Sequence, residues 1–115
     1  MTMITKRRDV AILQDIRQFI EQNFHKEIPI GSIVKQFNLN RTKLQEGFRQ
    51  FYDLPIHAFI HRLRMEKAKD LLRSTDDSVK SIALETGYKS TSSFIRAFRQ
   101  EYGIAPTEFR KQAGE

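Results

Sequence analysis

Residues 81–110, SIALETGYKSTSSFIRAFRQEYGIAPTEFR, set two helical patterns on either side of one glycine, and that spacing leaves the segment few ways to fold. Ile82 and Ala83 form the apolar side of a short helix. Gly87 follows, where a helix stops in the left-handed conformation that glycine enters without steric penalty. Ser90 supplies a hydroxyl N-cap, and Phe94, Ala97 and Phe98 recur at intervals of three and four, the mark of a second helix with one buried face. Its other face carries Thr91, Ser92, Ile95, Arg96 and Arg99. An ordinary helical hairpin shares this local pattern. A helix-turn-helix that lays a recognition helix in a DNA major groove needs the same parts, with the second helix polar and basic outside.

A degenerate copy lies about 50 residues earlier. Ile33, Val34, Asn38, Asn40, Leu44 and Phe48 stand to one another nearly as Ile82, Ala83, Gly87, Ser90, Phe94 and Phe98 do. Pro29 opens the first helix of this copy, where a missing N–H does no harm. Asn38 takes the turn position as the commonest substitute for glycine in the left-handed conformation. Asn40 caps the helix over residues 41–51. Before the copy, Ile12, Leu13, Ile16, Phe19, Ile20 and Phe24 follow the spacing of an amphipathic helix that braces it.

Between the copies, residues 55–74 read as one helix of about 19 residues, opening at a proline and stopping before a polar Ser-Thr-Asp-Asp run. At 1.5 Å per residue it spans roughly 28 Å, near the ~34 Å of one DNA turn. Its apolar stripe moves from Ile56, Ile60 and Leu63 to Ala68, Leu71 and Leu72, so one end is expected to dock in each lobe. The expected fold is all-α, with about seven helices in two helix-turn-helix subdomains joined by this linker. The boundaries are an arm at 1–9, a first subdomain at 10–53, the linker at 54–74, a second subdomain at 75–112 and a tail at 113–115. Residues 1–6, MTMITK, resemble an expression leader as much as a native start and are set aside.

Charge points to the partner. Twenty Lys and Arg against 14 Asp and Glu give +6 and a pI near 9.8, which favours a polyanion. Residues 41–50 carry three basic groups and one acidic, residues 62–73 five and two, and residues 89–99 three and none, so the excess sits on the two outer helices and the linker. Basic residues on a long linker also serve simply to solvate it. The absence of cysteine excludes disulfides, thiolate catalysis and Cys-ligated zinc. No apolar run approaches the length of a membrane span or a signal-peptide core, so no membrane partner and a cytoplasmic location are expected. His57 and His61 lie four apart but lack the glutamate of HExxH and a third ligand, and no Gly-rich phosphate loop or serine elbow is present. No enzyme, metal or cofactor is expected.

The run A-x3-GY-x2-S-x3-F-x3-F-x4-G-x2-P-x2-FR, filled by Ala83, Gly87, Tyr88, Ser90, Phe94, Phe98, Gly103, Pro106, Phe109 and Arg110, resembles the signature of the AraC/XylS family of transcription regulators. Residues 62–72, RLRMEKAKDLL, are similar to that family's linker-helix pattern, and the resemblance covers about residues 10–112. The first copy departs from the pattern at Pro29, Gly31, Val34 and Asn38.

The resemblance implies sequence-specific binding of double-stranded DNA and activation, less often repression, of transcription on the nucleoid. The recognition helices are about 41–51 and 91–101. Carried over by position, Thr42, Gln45 and Glu46 in the first and Thr91, Ser92 and Arg96 in the second would read bases. Arg96 suits a guanine, Gln45 an adenine and Glu46 a cytosine amino group. Arg41, Lys43, Arg49, Arg64, Lys89 and Arg99 would contact phosphates. The hydroxyls of Thr42, Thr91 and Ser92 alternatively cap or solvate a helix. Members of the family often carry a separate effector-binding or dimerisation domain, which would lie in a longer parent chain. RNA polymerase is the protein partner to expect. A second functional class remains open on the sequence: a basic helical module that docks on an acidic protein such as a polymerase subunit.

Overall fold

The computed structural model describes residues 7–114, so the leader expected at 1–6 and the final residue of the tail lie outside the described residues. Among the described residues the architecture is all-α, with seven helices: α1 (Arg7–Asn23), α2 (Ile30–Phe37), α3 (Arg41–Tyr52), α4 (Ile56–Ser74), α5 (Val79–Glu85), α6 (Thr91–Tyr102) and α7 (Pro106–Ala113). They form two compact units, Met1–His61 and Arg62–Glu115, with the boundary inside α4.

In the first unit α1 starts at Arg7, three residues before the expected start at Val10. That places Asp9 in the first turn, where a carboxylate complements the helix dipole. Leu13, Ile16 and Ile20 are fully buried along one stripe of α1, as are Ile33 of α2 and Leu44 and Phe48 of α3. The start of α4 closes this core with buried Ile56 and Phe59, the Phe59 ring lying 5.5 Å from that of Phe48.

In the second unit Met65, Ala68 and Leu72 of α4 form one buried cluster with Ile82, Ala83, Phe94 and Phe98. The linker helix thus contributes to both cores, as expected, with Ile56, Ala68 and Leu72 of the expected stripe buried. Phe59 and Met65 are buried, while Ile60, Leu63 and Leu71 are only half-buried.

The repeat extends beyond the two helix-turn-helix segments. Leu13, Ile16 and Ile20 of α1 are matched by Met65, Ala68 and Leu72 of α4, and Ile56 at the start of α4 is matched by buried Pro106 of α7. Ring geometry repeats with the spacing: Phe48 lies 4.8 Å from Tyr52 and 5.5 Å from Phe59, while Phe98 lies 4.8 Å from Tyr102 and 5.6 Å from Phe109. A cation rests over each outer aromatic pair. Arg17 sits 5.2 Å from Tyr52 and 5.8 Å from Phe59, and Lys69 sits 4.7 Å from Tyr102 and 6.0 Å from Phe109. The second half of α4 therefore does for α6 what α1 does for α3.

The end of α4 is built from side chains. Ser74 Oγ donates to the Asp70 carbonyl and Thr75 Oγ1 to that of Leu71, each at 2.7 Å. Arg110 of α7 donates from Nε to the Leu72 carbonyl at 3.0 Å and from Nη2 to the Thr75 carbonyl at 3.1 Å. The two Arg110 bonds satisfy carbonyls at the helix terminus, where intrahelical partners run out, and the guanidinium complements the negative end of the dipole. The final arginine of the signature is thus occupied by the fold. Replacing it (Arg110→Ala) should lower the stability of the second unit by about 2 kcal/mol, since hydrogen bonds from a charged group are among the stronger ones. Arg110→Lys should recover only part of that loss, because it cannot span both carbonyls with a planar fork. Urea denaturation followed by circular dichroism would measure both.

Candidate nucleic-acid interface

Each unit presents one helix whose start is fixed by a turn and a cap. In the first, Pro29 precedes α2 without a side-chain cap bond, and its carbonyl accepts both the N–H of Ser32 at 3.0 Å and the Ser32 Oγ at 2.7 Å. Asn38 then takes φ 53°, in the left-handed region, and its N–H and that of Leu39 both point to the Val34 carbonyl. Asn40 caps α3 by accepting the Lys43 backbone N–H.

In the second unit Ser78 Oγ accepts from the Ser81 N–H at 3.0 Å, and Gly87 takes φ 101°. Its N–H reaches the Leu84 carbonyl at 3.1 Å and the Tyr88 N–H reaches that of Ala83 at 2.9 Å, the paired bonds of a Schellman turn. Thr86, fully buried, satisfies its hydroxyl on the carbonyls of Ile82 and Ala83. Ser90 caps α6 through the Ser93 N–H at 3.1 Å. Val34 and Ala83 therefore accept at equivalent places in the two turns.

Buried Leu44 and Phe48 fix one face of α3 inward, and Phe94 and Phe98 do the same for α6. What remains outward corresponds position by position. Thr42, Gln45, Glu46 and Arg49 of α3 stand where Ser92, Ile95, Arg96 and Arg99 of α6 stand. An open hollow of about 670 Å³ in the first unit is bordered by Arg41, Gln45, Glu46 and Arg49, with Ile28, Ile30, Ile56 and Ile60 among its other walls. In the second unit a hollow of about 490 Å³ is bordered by Ser92, Ile95, Arg96, Arg99 and Gln100.

Of the residues expected to read bases, Thr42, Gln45, Glu46, Ser92 and Arg96 are exposed on these faces, while Thr91 is half-buried. Arg41, Arg49, Lys89 and Arg99 are exposed as well. Lys43 and Arg64, also expected on phosphates, are engaged within the protein. Lys43 Nζ lies 3.2 Å from a carboxylate oxygen of Asp9, whose side chain is only 6% exposed. Arg64 lies with its guanidinium 5.5 Å from the centre of the Tyr88 ring. Burial pushes the Tyr88 phenol above its ordinary pKa, with the Arg64 charge acting in the opposite direction. The phenol therefore stays protonated near neutral pH.

Sequence reasoning missed the Asp9–Lys43 pair and, though it set Ile95 on the outward face, gave that residue no role. The first joins residues too far apart for any periodic signal. The second was visible as an apolar residue beside two arginines. Among the described residues no group of three or more His, Cys, Asp or Glu side chains is assembled, and no helix is long and apolar enough to cross a membrane.

A family model described as a helix-turn-helix domain matches residues 33–112. The HTH-type transcriptional regulator MtrA of Neisseria gonorrhoeae is 35% identical over 86 residues, covering 75% of this chain and 29% of that protein. The HTH-type transcriptional activator RhaS of Enterobacter sp. (strain 638) is 32% identical over 101 residues, covering 88% of this chain and 36% of that protein. This chain spans about a quarter to two fifths of the length of the curated relatives it matches. Among solved structures, the DNA-binding domain of AdpA, a global transcriptional factor crystallised with a target DNA, superposes with a TM-score of 0.82. It has 20% identity and covers 87% of this chain and 90% of that one, which establishes a shared fold. The family match takes in both turns and everything between them, and with the relatives' agreement it fixes membership: the chain belongs to the helix-turn-helix domains of AraC/XylS-type transcription regulators.

Proposed function

We propose that this protein binds a specific double-stranded DNA sequence and activates transcription, with α3 and α6 entering adjacent major-groove segments. The observation that carries this reading is the doubled face: two helices, each held inward by a buried pair four residues apart, turn polar and basic side chains outward at equivalent positions. A helix-turn-helix places the start of its second helix against base edges in this manner. The fold shared with the DNA-bound domain of AdpA supports it, and the naming of RhaS as an activator supports the direction of regulation.

Thr42, Gln45 and Glu46 read bases in the first unit, and Thr91, Ser92 and Arg96 in the second. Arg96 matches the guanine edge, Gln45 that of adenine and Glu46 the cytosine amino group. Arg41, Arg49, Lys89 and Arg99 take phosphates, and Arg64 supports Tyr88 beside the second turn. Lys43 serves the fold: moving its ammonium to a phosphate would leave the buried Asp9 carboxylate without its cation, an outcome that burial makes costly. Activation acts through RNA polymerase on the nucleoid in the cytoplasm, and an effector-binding or dimerisation domain belongs to a longer parent chain.

The two faces differ in sequence, so sites selected from a random duplex pool should be asymmetric. Enrichment of clean inverted repeats would refute the arrangement. Salt titration separates the roles of the basic residues, because each phosphate contact contributes about 0.9 to the slope of log K against log salt. Arg99→Ala should reduce the slope by about that amount, Lys43→Met should leave it unchanged, and Asp9→Asn, which releases Lys43, should steepen it. Glu46→Ala should relax preference at one base pair by about 1–3 kcal/mol with little change in overall affinity. Uniformly tighter binding to every sequence would mean that Glu46 only repels the backbone.

A further inference from the structure

The α6 hollow of about 490 Å³ has one apolar residue among Ser92, Ile95, Arg96, Arg99 and Gln100. We propose that Ile95 reads the methyl group of a thymine, making it a specificity-determining residue of the second unit. This rests on the reading of α6 as a recognition helix.

Ile95 is half-buried, and its inner side packs against the cluster built on Phe94 and Phe98. A packing role does not by itself explain the residue. At the equivalent place in the first unit stands Gln45, which is exposed, while Leu44 and Phe48 are the large apolar residues that α3 buries. The fold therefore tolerates a polar side chain here.

What surrounds Ile95 identifies the occupant. Arg96 and Arg99 make the rim cationic, which suits a polyanion and disfavours an apolar protein segment. Within the major groove the apolar feature that a base edge offers is the C5 methyl of thymine. A β-branched side chain in a helix has one strongly preferred rotamer, so Ile95 offers a methyl-sized contact at a fixed place. The equivalent Gln45 matches the paired donor and acceptor of adenine instead. The same helical position thus reads different chemistry in the two units.

The test uses the full chain and a duplex selected from a random pool. Each thymine is replaced singly by deoxyuridine, which removes the methyl and nothing else, and Kd is measured by fluorescence anisotropy. One thymine should prove sensitive, its demethylation weakening wild-type binding about fourfold, the amount expected for one buried methyl. Ile95→Ala should lose sensitivity at that thymine, while Ile95→Val and Arg96→Ala should retain it. A purely structural role for Ile95 would weaken binding to both duplexes equally. Wild-type indifference to every replacement, or unchanged sensitivity in Ile95→Ala, would overturn the inference and leave DNA recognition standing. Failure to enrich any site would overturn both.

Discussion

Burial of two side chains four residues apart on each outer helix is the constraint from which the rest follows. Leu44 with Phe48, and Phe94 with Phe98, have no solvent exposure, so the rotation of α3 and α6 about their own axes is fixed by packing. A helix turning by about 100° per residue then has no choice about which residues point away. The outward sets Thr42, Gln45, Glu46, Arg49 and Ser92, Ile95, Arg96, Arg99 are consequences of that burial as much as of local sequence. The aromatic rings add orientation to area: Phe98 meets Phe94, Tyr102 and Phe109 at 6.0, 4.8 and 5.6 Å, so a change in its tilt would disturb three neighbours at once.

The two turns solve one problem with unequal means. Gly87 at φ 101° needs no side chain to be accommodated, and Ala83 leaves its carbonyl open to the Tyr88 N–H. Asn38 at φ 53° meets the same requirement with a Cβ present, beside a helix whose first turn lacks a capping side chain and contains Gly31. The same substitution of a small acidic or amide residue for glycine recurs one turn later. Asp53 at φ 65° stands where the second unit has Gly103 at φ 80°. Each exchange places a side chain in a conformation that glycine accepts freely, which makes the first unit the more strained copy.

Much of the fold was legible in the sequence, because it is written in local signals. Helix caps at Asn40 and Ser90, the left-handed Asn38 and Gly87, and the three-four spacing of Phe94 and Phe98 each act within a few residues, and each stands in the structure as the sequence implied. The contributions of α1 and α7 to the repeat were harder to see. Residues matched across it share burial while differing in identity: Ile16 with Ala68, and Ile56 with Pro106. Pairings over long separations were not legible at all. Asp9 with Lys43, and Arg110 with the carbonyls of Leu72 and Thr75, join segments whose distance in the chain carries no periodicity. For the candidate interface, sequence alone gave the outward faces but overstated the charge available to a partner. Several cations are held against rings, carbonyls or a carboxylate inside the protein.

The closure of α4 by Arg110 also bears on how the protein is made. Its two hydrogen bonds reach back 38 and 35 residues, from the last helix to the end of the fourth. The first unit draws its buried residues from the chain up to Phe59, so it can close while the rest is still being synthesised. The second cannot finish in the same way. Until residue 110 has emerged from the ribosome, the end of α4 lacks the guanidinium that satisfies it, and Phe98 lacks the ring of Phe109. Order of synthesis therefore sets when each core has all its residues: the first at Phe59, the second only with Phe109 and Arg110.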